Sequence, residues 1–340
     1  MPAAAPDALL AVHADPSLHG SAFCRALSDA TDKWLAELFD AAVEGDATSL
    51  ALVAVGGYGR AELCPGSDLD VVLIDGGKRD RKALGRLAEQ IWYPLWDAGV
   101  KLGHAVRTPK DALALASSDI DTATSFLTVR LVAGDAALAA DLAERAAKQW
   151  RQRSSRWLAA LSASVTERHE RKGEVAFLLE PDLKEGRGGL RDVHALHWAE
   201  AAQRILLDDD RTAIGAAYET LLAARVELQR RTGKVTDHLL LQEQDGVAAA
   251  LGDRDADALM ARVVAAARTI AWTSDDTWQR IDAFLRGPSG RIARRDQPVG
   301  AGLLLREGVI ELDYGADPAS DPTLVVRAAA AAATHETRLA

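Results

Sequence analysis

Cysteine is nearly absent: Cys24 and Cys64 stand forty residues apart in a chain of 340. That spacing fits neither a metal knuckle nor a disulfide framework, so both are expected to be free thiols in a reducing compartment. No run of eighteen apolar residues occurs, and the N-terminal Met-Pro-Ala-Ala-Ala-Pro-Asp lacks a basic stretch ahead of an apolar core. Neither a membrane span nor a secretory leader is expected on that basis, and a soluble, cytoplasmic protein is expected. Positive charge is short as well, with 40 Lys and Arg against 50 Asp and Glu, a formal net charge of −10. Such a molecule repels a phosphate backbone as a whole, which argues against a polynucleotide as the main substrate.

What is present suits a globular protein of about two domains: 48% hydrophobic residues, 26% charged residues and abundant alanine, which favours helix. In the stretch Leu50–Ile74 an apolar run (Leu50–Val55) stops at Gly56-Gly57. After a loop, a second apolar run (Leu69–Ile74) carries Asp68 and Asp70 at its entrance. The pattern reads as strand, glycine-rich turn, strand. Side chains alternate across a strand, so the two aspartates share a face, and their like charges call for a cation. Mg2+ is the simplest, because it takes one or two carboxylates and fills its other positions with water and phosphate oxygens. Glycines at 56 and 57 let backbone amides approach a phosphate closely. A Walker loop is excluded because Gly59 is followed by Arg60-Ala61, and a dinucleotide fingerprint because Glu62 stands where a third glycine or alanine belongs.

The second unusual stretch is Leu179–Asp192, where Gly186, Gly188 and Gly189 are interleaved with Lys184, Arg187 and Arg191. Basic side chains and flexible amides just before a helix make an anion-binding turn. Composition reads equally well as an interhelical loop with exposed charges.

The string Gly56-Gly57-Tyr58-Gly59-Arg60-x-Glu62-Leu63-x-Pro65-x-Ser67-Asp68-Leu69-Asp70 resembles the signature of the nucleotidyltransferase superfamily built on the polymerase-β palm. More specifically it is similar to the enzymes that nucleotidylylate the PII nitrogen-signalling protein. Asp182-x-Lys184-x-Gly186-x-Gly188-Gly189-Leu190-Arg191-Asp192 resembles a motif shared by PII uridylyltransferases and glutamine synthetase adenylyltransferases. The resemblance implies an α/β palm over residues 45–135, an all-α domain over 136–335 and a helical extension over 1–44. It implies attack of an acceptor hydroxyl on the α-phosphorus of UTP or ATP, the acceptor being a tyrosine of PII. Asp68 and Asp70 would be catalytic and hold Mg2+. Gly56, Gly57, Arg60, Ser67, Lys184, Arg187, Gly188, Gly189 and Arg191 would bind the nucleotide, with Arg60 either a charge clamp or a partner of Glu62. The superfamily usually projects a third carboxylate from a following strand, where this chain offers Gly103 and His104; His104 is read as structural. Related enzymes continue into a phosphohydrolase domain with a His-Asp pair and then sensor domains. No His-Asp dipeptide occurs here, so no hydrolase activity is expected. A small-molecule nucleotidyltransferase and a non-catalytic module binding nucleotide or PII are the alternatives.

Periodicity organises the rest. Residues 1–18 are expected to be poorly ordered. Phe23, Leu27, Ala30, Trp34, Leu35, Leu38 and Phe39 predict a helix. After a turn at Asp75-Gly76-Gly77-Lys78, Ala83–Trp96 reads as helix and Val100–Thr108 as a third strand, and Pro109 starts another helix. From Ile120 nearly everything reads as helix. One segment ends at Gly134 as a C-cap, and a long one runs from Ala136 to Glu170 with Trp150 and Trp157 on one face. The charged run Glu167–Lys172 reads as a solvated helix end. His194, His197 and Glu200 share a helical flank, where partial burial is a better reading than a metal site. Three or four helices fill Asp192–Leu285, and Gly287-Pro288-Ser289-Gly290 is expected to break the last. A hairpin around Arg306-Glu307-Gly308 and a final helix from Leu324 to about Thr334 complete the chain.

Overall fold

The computed structural model describes residues 6–43, 47–77, 79–292, 297–306, 309–335 and 337–339. They fall into two compact units, 1–277 and 278–340. In chain order the first contains α1 (Asp7–Ala14), α2 (Gly20–Val43), β1 (Leu50–Ala54), α3 (Gly56–Gly59), β2 (Leu69–Asp75) and α4 (Arg81–Asp97). It continues through β3 (Leu102–Arg107), α5 (Pro109–Ala116), α6 (Ile120–Phe126), β4 (Arg130–Gly134), α7 (Ala136–Gln152) and α8 (Ser154–Lys172). A short 3-10 turn at Val175–Phe177 leads to α9 (Leu190–Ala202), α10 (Asp208–Thr232), α11 (Leu241–Leu251) and α12 (Ala256–Ile292), which runs through the boundary between the units. The fold is mixed α/β and mostly helical. Among the described residues no helix is long and apolar enough to cross a membrane.

Four strands form one sheet in the order β3-β2-β1-β4. β1 pairs antiparallel with β2 and β4, while β2 pairs parallel with β3. All five residues of β1 are buried, as a central strand of continuous apolar sequence requires. The stripe predicted for α2 is inside: Phe23, Leu27, Trp34, Leu35 and Phe39 are buried. α2 packs on β4 and α4, and α4 packs on β3. Helix starts follow local chemistry, as where Thr108 accepts from the Asp111 amide ahead of Pro109 at the start of α5. Cys24 and Cys64, distant in sequence, are free and buried with their sulfurs 3.6 Å apart.

Four expectations change. Residues 130–134, expected to be helical, form β4 because they complete the sheet beside β1. A Cβ on Gly134 would lie 2.3 Å from the Leu50 carbonyl oxygen, so this glycine serves strand approach and not a helix cap. The long helix expected from Ala136 is broken at Arg153 into α7 and α8. Residues seven apart on a continuous helix are separated by about 10 Å. The break lets Trp150 and Trp157 stack with centroids 5.0 Å apart and planes 14° apart. Within the N-terminal stretch, Asp7–Ala14 is helical, and Arg230 ties the segment down by donating to the carbonyls of His13, Asp15 and Leu18 at 2.9, 2.8 and 3.0 Å; the first five residues lie outside the described ones. The break expected at 287–290 is absent, since α12 runs to Ile292. An interior proline removes one hydrogen bond of the ladder, at a cost of about 3 kcal/mol, and leaves the other turns of so long a helix paired.

The second unit holds a sheet in the order β5-β6-β7-β8 and α13 (Thr323–Thr334); its strands are β5 (Gln297–Gly300), β6 (Leu303–Arg306), β7 (Val309–Leu312) and β8 (Arg338–Leu339). β6 and β7 form the antiparallel pair expected of a hairpin. Glu307 and Gly308 of its turn, like Lys78 of the turn after β2, lie outside the described residues. Leu303, Ile310, Leu324, Ala328 and Ala331 make a small core of this unit's own.

Candidate active site

The strand pattern brings Asp68 and Asp70 to the entrance of β2, beside β1 and its glycine pair. Both aspartates line a cavity of about 620 Å³, together with Gly56, Gly57, Arg60 and Ser67. Gly56 has φ +60, a left-handed backbone that suits glycine, and a Cβ there would meet Asp70 Oδ2 at 3.3 Å. The glycine pair therefore opens the short helix α3 directly beside the acidic pair. Burial, and then the neighbouring Asp68, push the Asp70 carboxyl above the usual range, while Lys184 opposes them. Among the described residues neither aspartate side chain has a hydrogen-bond or ion-pair partner.

The opposite wall comes from the second motif, Asp182–Asp192. Asp182 Oδ1 accepts from the amides of Lys184 (3.1 Å) and Glu185 (2.8 Å) and so shapes the turn. Asp192 is fully buried. It accepts from Arg168, from the Gly188 amide at 2.7 Å, and makes a 2.8 Å contact with His169 Nε2. These contacts tie the turn to the end of α8. As a result Lys184 and Arg191 reach the cavity, as do Arg168, Arg171 and Lys172 of α8. The run Glu167–Lys172 is thus not a plain solvated helix end. Its signal was spacing: Leu161, Val165, Arg168 and Lys172 step by three and four on one helical face.

Part of the motif faces elsewhere. Arg187 does not line this cavity; it pairs with Glu174 at 3.0 Å and Asp275 at 2.6 Å. Gly188 and Gly189 are also absent from the lining, and packing explains both. Gly188 has φ +79 and a Cβ there would lie 2.4 Å from the Ala267 carbonyl oxygen, while one on Gly189 would meet three carbonyl oxygens within 2.9 Å. These glycines compact the turn and do not open room for a ligand.

Arg60 is a partner of Glu62 (2.5 Å) and lines the cavity as well. Beside them lies His194, which the sequence placed only on a partly buried flank. Its Nε2 is 3.0 Å from Tyr218 Oη, 3.3 Å from Arg60 and 3.5 Å from Glu62. Burial and then Arg60 hold His194 far below the imidazole range, at about 3, so it is neutral. Burial pushes the Glu62 carboxyl up, but His194 and Arg60 outweigh it and hold it at about 2. Arg225 joins this wall, donating to Asp237 at 2.6 Å and to the Cys64 sulfur at 2.9 Å. Glu200 belongs to local structure, accepting from Arg211 and from the Ile205 and Leu206 amides. His104 lies on β3 opposite Val71 and packs on Trp92 and Trp96, away from the face of Asp70. Among the described residues no group of three His, Cys, Asp or Glu is placed to hold a metal.

Without a side-chain partner among the described residues, Asp68 and Asp70 share one cavity with Lys184 and Arg191, an arrangement that can take a divalent cation with a polyphosphate. Residues 156–278 match the family model described as GlnD PII-uridylyltransferase. A protein of Streptomyces coelicolor named bifunctional uridylyltransferase/uridylyl-removing enzyme is 46% identical over 323 residues, covering 91% of this chain and 38% of that protein. Proteins of the same name from Mycobacterium tuberculosis and Corynebacterium glutamicum are 40% and 36% identical, over 90% and 84% of this chain and 39% and 40% of theirs. The chain thus spans about two fifths of the length of these relatives. Over the length it shares with them, it belongs to the PII-uridylyltransferase family.

Proposed function

We propose that this chain transfers UMP from UTP to a hydroxyl of a protein acceptor and releases pyrophosphate. The observation that carries the reading is the convergence of Asp68, Asp70, the Gly56-Gly57 turn, Lys184 and Arg191 on one cavity. The relatives' names support the uridylyl group, and the family name supports PII as the acceptor; resemblance adds a tyrosine as the acceptor residue and ATP as the alternative donor. In this reading residues 45–135 are a polymerase-β-like palm, the helices of residues 136–277 its helical companion and residues 1–44 a helical extension; the stretch 136–335 expected to be all-α also includes strands β5, β6 and β7 of the second unit.

Asp68 and Asp70 would hold Mg2+. Their fit to the ion rests on the lack of any side-chain partner among the described residues and on the upward push on the Asp70 carboxyl, which a cation relieves. When bound, the ion neutralises phosphate charge and lowers the pKa of the attacking hydroxyl. The chain's own groups bind and orient. Gly56 and Gly57 bring backbone close to the triphosphate, and Ser67 adds a hydroxyl beside it. Lys184 and Arg191 balance its charge, and Glu62 holds Arg60 in position.

Incubation with labelled UTP or ATP, Mg2+ and PII is the test. Label on PII that requires Mg2+, with UTP preferred, is the expected result. Nucleotide binding without transfer would reduce the chain to a binding module, and no binding at all would overturn the assignment of the cavity.

A further inference from the structure

The cavity changes character along α8. Its wall on that helix is Leu161, Ser164 and Val165, followed by Arg168, Arg171 and Lys172. Leu161, Val165, Arg168 and Lys172 step by three and four, with Ser164 and Arg171 adjoining them, so they form one stripe about 16 Å long. α9 runs antiparallel beside it, as two contacts fix. The end of α8 meets the start of α9 where Arg168 and His169 contact Asp192. At the other end, Trp150, just ahead of α8, donates its indole N–H to the Trp198 carbonyl at 2.9 Å. Arg191 of α9 therefore lies at the cationic end, and Ala195 and Trp198 lie toward Leu161 and Val165, about 10 Å further along. One end of the cavity carries the cations Arg168, Arg171, Lys172 and Arg191. The other is a recess that carries the apolar side chains of Leu161, Val165 and Ala195 and the Trp198 indole, beside His194.

We propose that this recess is the nucleobase pocket, with Trp198 as its stacking face; the proposal rests on the nucleotidyl-transfer reading above. A nucleotide has the same polarity as the cavity: a polyanion at one end and a flat, weakly polar ring at the other. Leu161, Val165 and Ala195 are almost fully buried, so the recess already has a dry, preformed wall. Trp198 is only half-buried, with the His194 ring 6.1 Å from the centre of its indole, and the accessible part of that indole is what a base can stack on. Arg191 has its guanidinium carbon over that indole, 5.9 Å from the ring centre, so a cation for the phosphate end and a base would share one aromatic side chain. Ser164, exposed on the same wall, supplies a hydroxyl for the polar edge of the base. Triphosphate alone has nothing to fill this recess.

Calorimetric titration of the full chain with Mg2+ and either UTP or inorganic triphosphate tests the assignment. Trp198→Ala is expected to weaken UTP binding by about ten- to a hundredfold and leave triphosphate binding unchanged, with Trp198→Phe close to the parent. Ser164→Tyr, made at an exposed position and filling the recess from its rim, should exclude UTP and spare triphosphate. Two outcomes overturn the pocket and leave the transfer reading standing: a parent that binds UTP no more tightly than triphosphate, or variants with unchanged UTP affinity and a raised KM for PII. The second would assign the recess to the acceptor side chain. Parallel loss of both ligands in Trp198→Ala and in Ser164→Tyr would also overturn it, because the recess would then support the phosphate end only. A parent that binds neither ligand would overturn the transfer reading itself.

Discussion

A Cβ placed on Gly103 would sit 2.3 Å from Oδ1 of Asp70, its partner across the β2–β3 ladder. The Asp70 carboxylate thus occupies the space that a side chain at position 103 would need. Gly103 is exposed on an edge strand and the atom it would strike ends a flexible side chain, so Gly103→Ala should fold normally. It should nevertheless displace the Asp70 carboxylate. We expect Mg2+-dependent transfer to PII to fall by about a hundredfold with little change in Tm. Transfer equal to the parent's would separate Asp70 from the reaction.

Asp70→Asn is expected to abolish transfer while keeping or raising Tm at neutral pH without metal. Burial and Asp68 disfavour the ionised carboxylate, so its pKa is raised in the folded state. Between the unfolded and folded pKa the native protein holds more protons, and stability therefore declines as pH rises through that window. Asn removes that decline. Thermal melts across the acidic range, with and without Mg2+, would show it. A markedly less stable Asp70→Asn protein would mean that the carboxylate is structural.

Lys184 and Arg187 belong to one motif and point to different surroundings. Lys184→Ala should weaken Mg2+–UTP binding by about ten- to a hundredfold, the scale of a hydrogen bond to a charged group. Arg187→Ala should leave that affinity within about twofold, because its side chain is occupied by Glu174 and Asp275 outside the cavity. Equal losses in both variants would contradict this division.

Acid lability is expected from the pair beneath Arg60. His194 has a folded pKa of about 3, below its ordinary 6.5, so stability falls as pH drops below 6.5. Glu62 at about 2 adds a further loss below its ordinary 4.5. Each group contributes at most about 1.4 kcal/mol per pH unit in its window. Urea midpoints measured between pH 7 and pH 4 should decline in the parent. They should be flatter in His194→Gln, whose side chain does not titrate. Identical slopes would place the lability elsewhere.

The local signals were strong where chemistry and periodicity are local. Gly56-Gly57 with Asp68 and Asp70 announced a turn and an acidic strand, and the stripe on α2 announced its buried face. The Asp182–Asp192 motif announced a glycine-rich, basic turn, which composition alone left open between an anion site and an interhelical loop. Tertiary structure decided what depends on neighbours distant in the chain. The five residues Arg130–Gly134 became β4 because β1 offered an open edge, and α7 parted from α8 where two tryptophans stack. Packing also explains the inner glycines of the motif: Gly188 is pressed against Ala267, and Gly189 against the turn's own carbonyls. Composition alone reads Arg168 and Arg187 alike, as basic residues. Which of them faces the cavity followed from their carboxylate partners, Asp192 for one and Glu174 with Asp275 for the other, because burying a cation requires an anion that only the fold brings within reach.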